Sequence, residues 1–136
     1  MRLRDVEDVS KLTPAMQQYA NLKKNNESSL LFFRMGDFYE LFFDDAIITA
    51  KELNITLTKR GKVLNESIPM CGIPFHAVNN YVPKLVKKGF EIAICEQTSS
   101  PEEMSLKGIK GPLTREVTRI ITPVSYTHLR AHETGP

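Results

Sequence analysis

Residues 29–42 constrain this chain more than any other stretch. Ser29-Leu30-Leu31-Phe32-Phe33-Arg34 is a short apolar run, Met35-Gly36-Asp37 is a turn signal, and Phe38-Tyr39-Glu40-Leu41-Phe42 is a second apolar run. Two such runs joined by a Gly-containing turn predict a β-hairpin. Side chains alternate across a strand, so Phe38 and Glu40 are expected on one face and Tyr39 and Leu41 on the other. That pattern can place Phe38 at the hairpin mouth as an exposed wedge with a carboxylate beside it. Core packing is the alternative use of an aromatic in such a run, and the pattern alone leaves both open.

The surroundings alternate between helix and strand signals. Thr13-Pro14 opens a helix, because Thr can cap free N–H groups and Pro suits the first turn. Met16, Tyr19 and Ala20 give that helix an apolar stripe, and Asn25-Asn26 ends it. Asp44-Asp45 favours a second helix start, running to about Asn54. Residues 55–58 read as a strand, followed by the basic loop Lys59-Arg60-Gly61-Lys62. Residues 68–74 are Pro-rich, which argues against a central strand. From His76, the spacing of Val78, Val82, Leu85 and Val86 predicts a helix stopped by Gly89. Residues 90–95 form an apolar run expected of a buried strand, 99–112 read as loose, and 115–121 as the last strand. The expected fold is α+β, a mixed sheet of about five to six strands with about three flanking helices.

Bulk properties set outer bounds. With 136 residues, the chain suits one compact domain. Its 41% hydrophobic and 25% charged residues are those of a globular protein, and it has neither an apolar run of membrane-spanning length nor a signal peptide. A cytoplasmic protein is expected. Cys71 and Cys95 stand apart and are expected to be buried free thiols, with no metal site. The net charge of +2 permits nucleic-acid binding without pointing to it, so the positions of the charges decide. Residues 1–12 are expected to form an N-terminal arm and 13–123 the folded domain. Residues 124–136, which lack apolar periodicity, read as a non-native tail; His128 and His132 within it lack a supporting ligand cluster.

Several motifs then occur in order. The segment Arg34-Met35-Gly36-Asp37-Phe38-Tyr39-Glu40-Leu41-Phe42 resembles the Phe-x-Glu mismatch-reading motif of MutS proteins. The likeness continues through Thr13-Pro14-Ala15-Met16-Gln17-Gln18-Tyr19, Leu57-Thr58-Lys59-Arg60-Gly61, Ile68-Pro69-Met70-Cys71-Gly72-Ile73-Pro74-Phe75-His76 and Ile94-Cys95-Glu96-Gln97. It covers residues 13–123. The resemblance implies that Phe38 enters the minor groove and stacks on a mispaired base, and that Glu40 hydrogen-bonds that base. Wedging costs a few kcal/mol of unstacking and bending about 1–6 kcal/mol more, both less where pairing is already broken. Such a domain reads deformability rather than base identity.

A carboxylate at a DNA surface is repelled by phosphates. Glu40 is therefore expected to penalise normal duplex, where it finds no partner. Lys59, Arg60, Lys62 and Arg115, with Arg119, are expected to hold the DNA backbone, and Met35, Met70 and His76 match family positions near DNA. The resemblance further implies double-stranded DNA with mismatches or small loops as ligand. It implies a longer parent protein, a homodimer that recruits a MutL-type partner. ATP and Mg would be bound by a domain missing here, since the sequence has no phosphate-binding GxxxxGK[ST] loop and Gly108-Ile109-Lys110-Gly111 is not one. No cofactor and no catalysis are expected of this chain. Two other readings compete. One is a protein-interaction module centred on Phe38. The other is a Mg-dependent nuclease using Asp37, Glu40, Asp44 and Asp45, although no acid–x–Lys element accompanies them.

Overall fold

The computed structural model describes residues 3, 6, 9–63 and 66–124, without the side chains of 62 and 63. Helix α1 (Pro14–Lys24) starts where the Thr13 hydroxyl accepts the Met16 N–H, with Pro14 in the first turn. Strands β1 (Ser29–Met35) and β2 (Phe38–Phe42) form the expected hairpin, in register Met35↔Phe38 and Phe33↔Glu40. Gly36 has φ +61 and Asp37 does not share that sign, so the positive φ falls on the first central position alone, where a two-residue hairpin turn of this kind wants glycine. Helix α2 (Phe43–Leu53) follows without a linker. Phe43 itself is left-handed at φ 57, a conformation costly for an aromatic residue. Burial against the Tyr19 ring holds it there.

Strands β3 (Thr58–Val63) and β4 (Glu66–Pro74) lead to α3 (Val78–Lys87), β5 (Glu91–Gln97), α4 (Pro101–Leu106) and β6 (Arg115–Ile121). The sheet order is β3-β4-β2-β1-β5-β6, antiparallel except for the parallel pair β1–β5. Helix α1 covers one face, where Met16, Tyr19, Leu31, Phe33, Phe42 and Cys95 pack. Helices α2 and α3 cover the other, with Phe32, Tyr39, Leu41, Cys71, Ile73 and Leu85. This is the expected α+β fold on a mixed sheet. Among the described residues no helix is long and apolar enough to cross a membrane.

Three expectations are corrected. The basic segment 59–62 is not a loop but most of β3, an edge strand with a bulge at Arg60-Gly61, where Gly61 takes φ +62. Being at an edge, it needs no buried face and shows no apolar alternation. The Pro-rich run 68–74 is an inner strand, β4. Its pairing with β2 spans 70–74 and its pairing with β3 spans 66–70, so Pro69 lies outside the β2-paired part and next to the bulge, and Pro74 ends the strand. Neither proline interrupts a continuous ladder. Finally, the region read as loose contains a fourth helix, α4, capped by the Ser100 hydroxyl accepting Glu103 N–H at 3.1 Å. The Ser-x-x-Glu pattern there is a capping signal.

Val6 and Leu12 of the expected arm are buried in the α1-side core. Residues 125–136, including His128, His132 and nearly all of the expected tail, lie outside the described residues.

Candidate nucleic-acid interface

The hairpin register brings the candidate residues onto the α1 face of the sheet, at its open end. Tyr39, Leu41 and Phe42 are buried, whereas Phe38 remains 45% exposed. Its ring leans over Gly72, since a Cβ built there would meet Phe38 Cδ1 at 3.6 Å. Gly72 stands directly opposite Glu40 in the β2–β4 ladder, so the floor between the aromatic ring and the carboxylate carries no side chain. The alternation expected from sequence therefore holds, with Phe38 and Glu40 on one side and Tyr39 and Leu41 on the other.

Glu40 differs from expectation in one respect: it has a partner. Arg60 Nη1 donates to its Oε1 at 3.0 Å, reaching across β4 from the bulge of β3. The Glu40 side chain is 14% exposed and that of Arg60 40%. Burial pushes the Glu40 carboxyl above its ordinary range, while the positive charges of Arg60 and Arg115 pull it down. Arg60 is thus an internal counter-ion with a partly open guanidinium rather than a free loop cation.

Arg115 is also more committed than its sequence context suggested. Its Nε donates to Arg34 O at 2.7 Å and its Nη1 to Gln18 Oε1 at 2.6 Å. Nη2 contacts the Met35 sulfur at 3.3 Å, and the guanidinium stacks on Phe33, 4.6 Å from the ring centroid. These contacts tie the group to β1 and α1. It props the β1 end of the hairpin and lends its charge to Glu40. Arg119 lies in the middle of the edge strand β6, opposite Ile94, away from the hairpin mouth.

The other predicted residues divide by position. Met35 pairs with Phe38 and packs, partly buried, against the α1-side core. Met70 pairs with Phe42 and packs into the same core. Lys59 is exposed on β3 opposite Pro69, and Lys62 lies on β3 opposite Ser67. His76 is exposed in the single helical turn Phe75–Ala77, which follows Pro74, the cross-strand neighbour of Phe38. Sequence reasoning assigned no role to Phe75. This 47% exposed aromatic carries the Arg34 guanidinium 3.9 Å from its ring centroid.

The carboxylates that suggested a nuclease do not form one group. Asp45 is buried at the start of α2, ion-paired with Lys23 at 3.0 Å, and accepts the Leu31 N–H at 2.9 Å. Glu40 is held by Arg60. Among the described residues no three His, Cys, Asp or Glu side chains converge to hold a metal ion. The segment Gly108-Ile109-Lys110-Gly111 connects α4 to β6. A phosphate loop needs the reverse order, strand to helix. Both cysteines are buried free thiols, as expected, and burial pushes each up to about 12.

The chain is similar to known proteins over most of its length. The family model described as MutS domain I matches residues 13–130. The chain is 54% identical to the DNA mismatch repair protein MutS of Bartonella quintana (strain Toulouse) over 117 residues, which are 86% of this chain and 13% of that protein. It thus spans about an eighth of the length of that curated relative. The motifs in their order, the mixed sheet that carries them and the family match converge: the chain belongs to the MutS domain I family.

Proposed function

We propose that this chain is a mismatch-sensing DNA-binding domain of DNA mismatch repair, with Phe38 as its wedge and Glu40 as its base-contacting group. The observation that carries the reading is the exposure of Phe38. Every other aromatic residue of β1 and β2 is buried in the described structure, and this one projects beside a carboxylate on a bare glycine floor. Leaving so large an apolar ring in water is unfavourable for an isolated domain and useful for one that inserts it between bases.

Insertion is cheapest where a base is mispaired or unpaired, because less stacking and pairing energy is lost. Glu40 then serves as acceptor for a base N–H or, when protonated, as donor to a ring nitrogen. Burial raises its pKa and so favours the protonated form. Arg60 and Lys59, with Lys62 in the same strand, supply positive charge for the phosphates on the β3 side, and exposed His76 follows Pro74, the cross-strand neighbour of Phe38. Arg115 is assigned to support of the hairpin, with Met35 and Met70 lining its base.

Functions of a whole MutS protein are proposed for the longer parent only. These are ATP and Mg use, homodimer formation, recruitment of a MutL-type partner and a cytoplasmic location. This chain is proposed to act without catalysis or a cofactor of its own.

The test is a titration of the chain with matched duplexes differing by one G·T mismatch or one unpaired thymine, at several salt concentrations. Tighter binding to the imperfect duplexes, weakened by salt for all of them, is expected. Equal, salt-insensitive binding would favour a protein-interaction surface centred on Phe38 instead.

A further inference from the structure

The motif Ile94-Cys95-Glu96-Gln97 has no part in the contacts proposed above, yet its last two residues reach the wedge hairpin from opposite faces of the sheet. On the α2 side, Arg34 Nη1 donates to both Glu96 oxygens at 3.1 and 3.3 Å. The Tyr39 hydroxyl donates to the same carboxylate at 2.7 and 3.0 Å. Arg34 Nε closes back onto the turn, donating to Gly36 O at 2.5 Å. The Phe75 ring stacks against the Arg34 guanidinium, and the Phe75 N–H donates to Asp37 O at 2.7 Å. Both residues of the turn, Gly36 and Asp37, are therefore held through their carbonyls.

The α1 side has a matching contact. With its amide turned to suit its neighbours, the Gln97 oxygen accepts from Gly36 N–H and from Arg115 Nη2, both at 3.3 Å. Arg115 also accepts no freedom of its own, being tied to Arg34 O and Gln18.

We infer that Glu96 and Gln97 are positioning residues that fix the Phe38 hairpin and thereby set the discrimination between mismatched and paired DNA. This inference rests on the reading of Phe38 as the wedge. Its physical basis is the smallness of the hairpin mouth. Only three residue pairs join β1 to β2, and the β5 ladder covers β1 from Ser29 to Phe33 alone, so Arg34, Met35 and the turn lie beyond it. A side chain that must force open a base step transmits its load to the turn beneath it, and such groups need support that keeps them within about 0.5 Å of the working geometry. Glu96 supplies an ionic tie through Arg34 and a neutral one through Tyr39. Gln97 supplies a tie to the turn amide. A surface ion pair serving stability alone would leave discrimination untouched.

The experiment compares the chain with its Phe38→Ala, Glu96→Gln, Tyr39→Phe and Gln97→Met variants. Each is titrated with a G·T duplex and its paired counterpart, with 2-aminopurine beside the mismatch reporting unstacking at saturating protein. The ratio of mismatched to paired affinity is the readout, because loss of the Glu96 charge acts on both duplexes alike. Glu96→Gln is expected to lower the ratio about threefold to tenfold, with less 2-aminopurine unstacking. Tyr39→Phe and Gln97→Met change no charge and are expected to lower it in the same direction, by weakening the mismatched complex alone. They carry the test by themselves if Glu96→Gln does not fold.

If Phe38→Ala abolishes the preference while all three support variants keep the wild-type ratio and 2-aminopurine signal, the positioning role is wrong and the wedge reading stands. If the preference is absent, or survives in Phe38→Ala, the wedge reading itself fails and this inference with it.

Discussion

Arg60 Nη1 lies 3.0 Å from Glu40 Oε1, joining the bulge of β3 to the strand that carries Phe38. The Glu40 carboxylate is thus already ion-paired in the free protein, by a residue whose side chain remains 40% exposed. On the proposed function, normal duplex would compete with Glu40 for Arg60. On the same proposal, an opened base would offer Glu40 a replacement partner and free Arg60 for the backbone.

Two substitutions separate these roles. Glu40→Gln removes the repulsion and releases Arg60, so affinity for paired duplex is expected to rise about threefold to tenfold and discrimination to shrink. Arg60→Gln leaves Glu40 without its counter-ion, so binding to both duplexes is expected to weaken, with a salt slope smaller by about one. Fluorescence anisotropy across a salt series measures both. Unchanged paired-duplex affinity in Glu40→Gln would remove the penalty role.

A second prediction concerns alkaline stability. Burial pushes Cys71 and Cys95 each up to about 12, and burial with the Glu96 hydrogen bond pushes Tyr39 up to about 12. A folded-state pKa above the unfolded value means that the folded protein keeps a proton the unfolded chain has lost. Stability is therefore full below the ordinary thiol pKa and falls as pH rises from about 9 toward 12, by up to about 1.4 kcal/mol per pH unit for each titrating group. Urea midpoints from pH 8 to pH 11 check this, and replacing both cysteines with Ala or Val should flatten the early part of the decline. A midpoint independent of pH across that range would contradict it.

Asp45 offers a third test, independent of DNA. It is buried, pairs with Lys23, and accepts the Leu31 N–H at 2.9 Å and the Tyr19 hydroxyl at 3.4 Å. Asp45→Ala orphans several groups at once and is expected to cost about 3–5 kcal/mol. Asp45→Asn keeps an acceptor for Leu31 and should cost less. Chemical denaturation gives the two values, and a change for Asp45→Ala as small as that of a surface residue would refute the assignment.

The fourth prediction addresses the bulge that delivers Arg60. Gly61 has φ +62 and open space where a Cβ would stand, so Gly61→Ala meets a conformational penalty and no clash. The expected loss is about 1–2 kcal/mol, with Gly61→Asn milder because Asn tolerates the left-handed region. Thermal melts distinguish them. Equal stability of all three forms would show that the bulge relaxes freely.

Much of this arrangement is legible in the sequence where local chemistry is strong. Thr13-Pro14 and the Gly36-Asp37 turn fix their elements through nearest neighbours, and period-two alternation places Phe38 and Glu40 on one face. Legibility fails where tertiary position overrides local pattern. Lys59-Arg60-Gly61-Lys62 looks like a loop because an edge strand has no need of an apolar face. Pro69 argues against an inner strand until its place between two partial ladders is known. The Glu40–Arg60 pair spans 20 positions and the Arg34–Glu96 pair 62, so neither follows from spacing. The Ser100-x-x-Glu103 cap marks the start of α4, but six residues with Met104 as the one buried side chain are too few to show helical periodicity.

The central claim is that Phe38 reads mismatches by insertion. It is tested most directly by measuring, at fixed salt, the affinities of the chain and of Phe38→Ala for a G·T duplex and its fully paired counterpart. The account predicts that the wild-type chain prefers the mismatch and that Phe38→Ala binds both duplexes equally, near the wild-type affinity for paired DNA. A mismatch preference that survives in Phe38→Ala would contradict it.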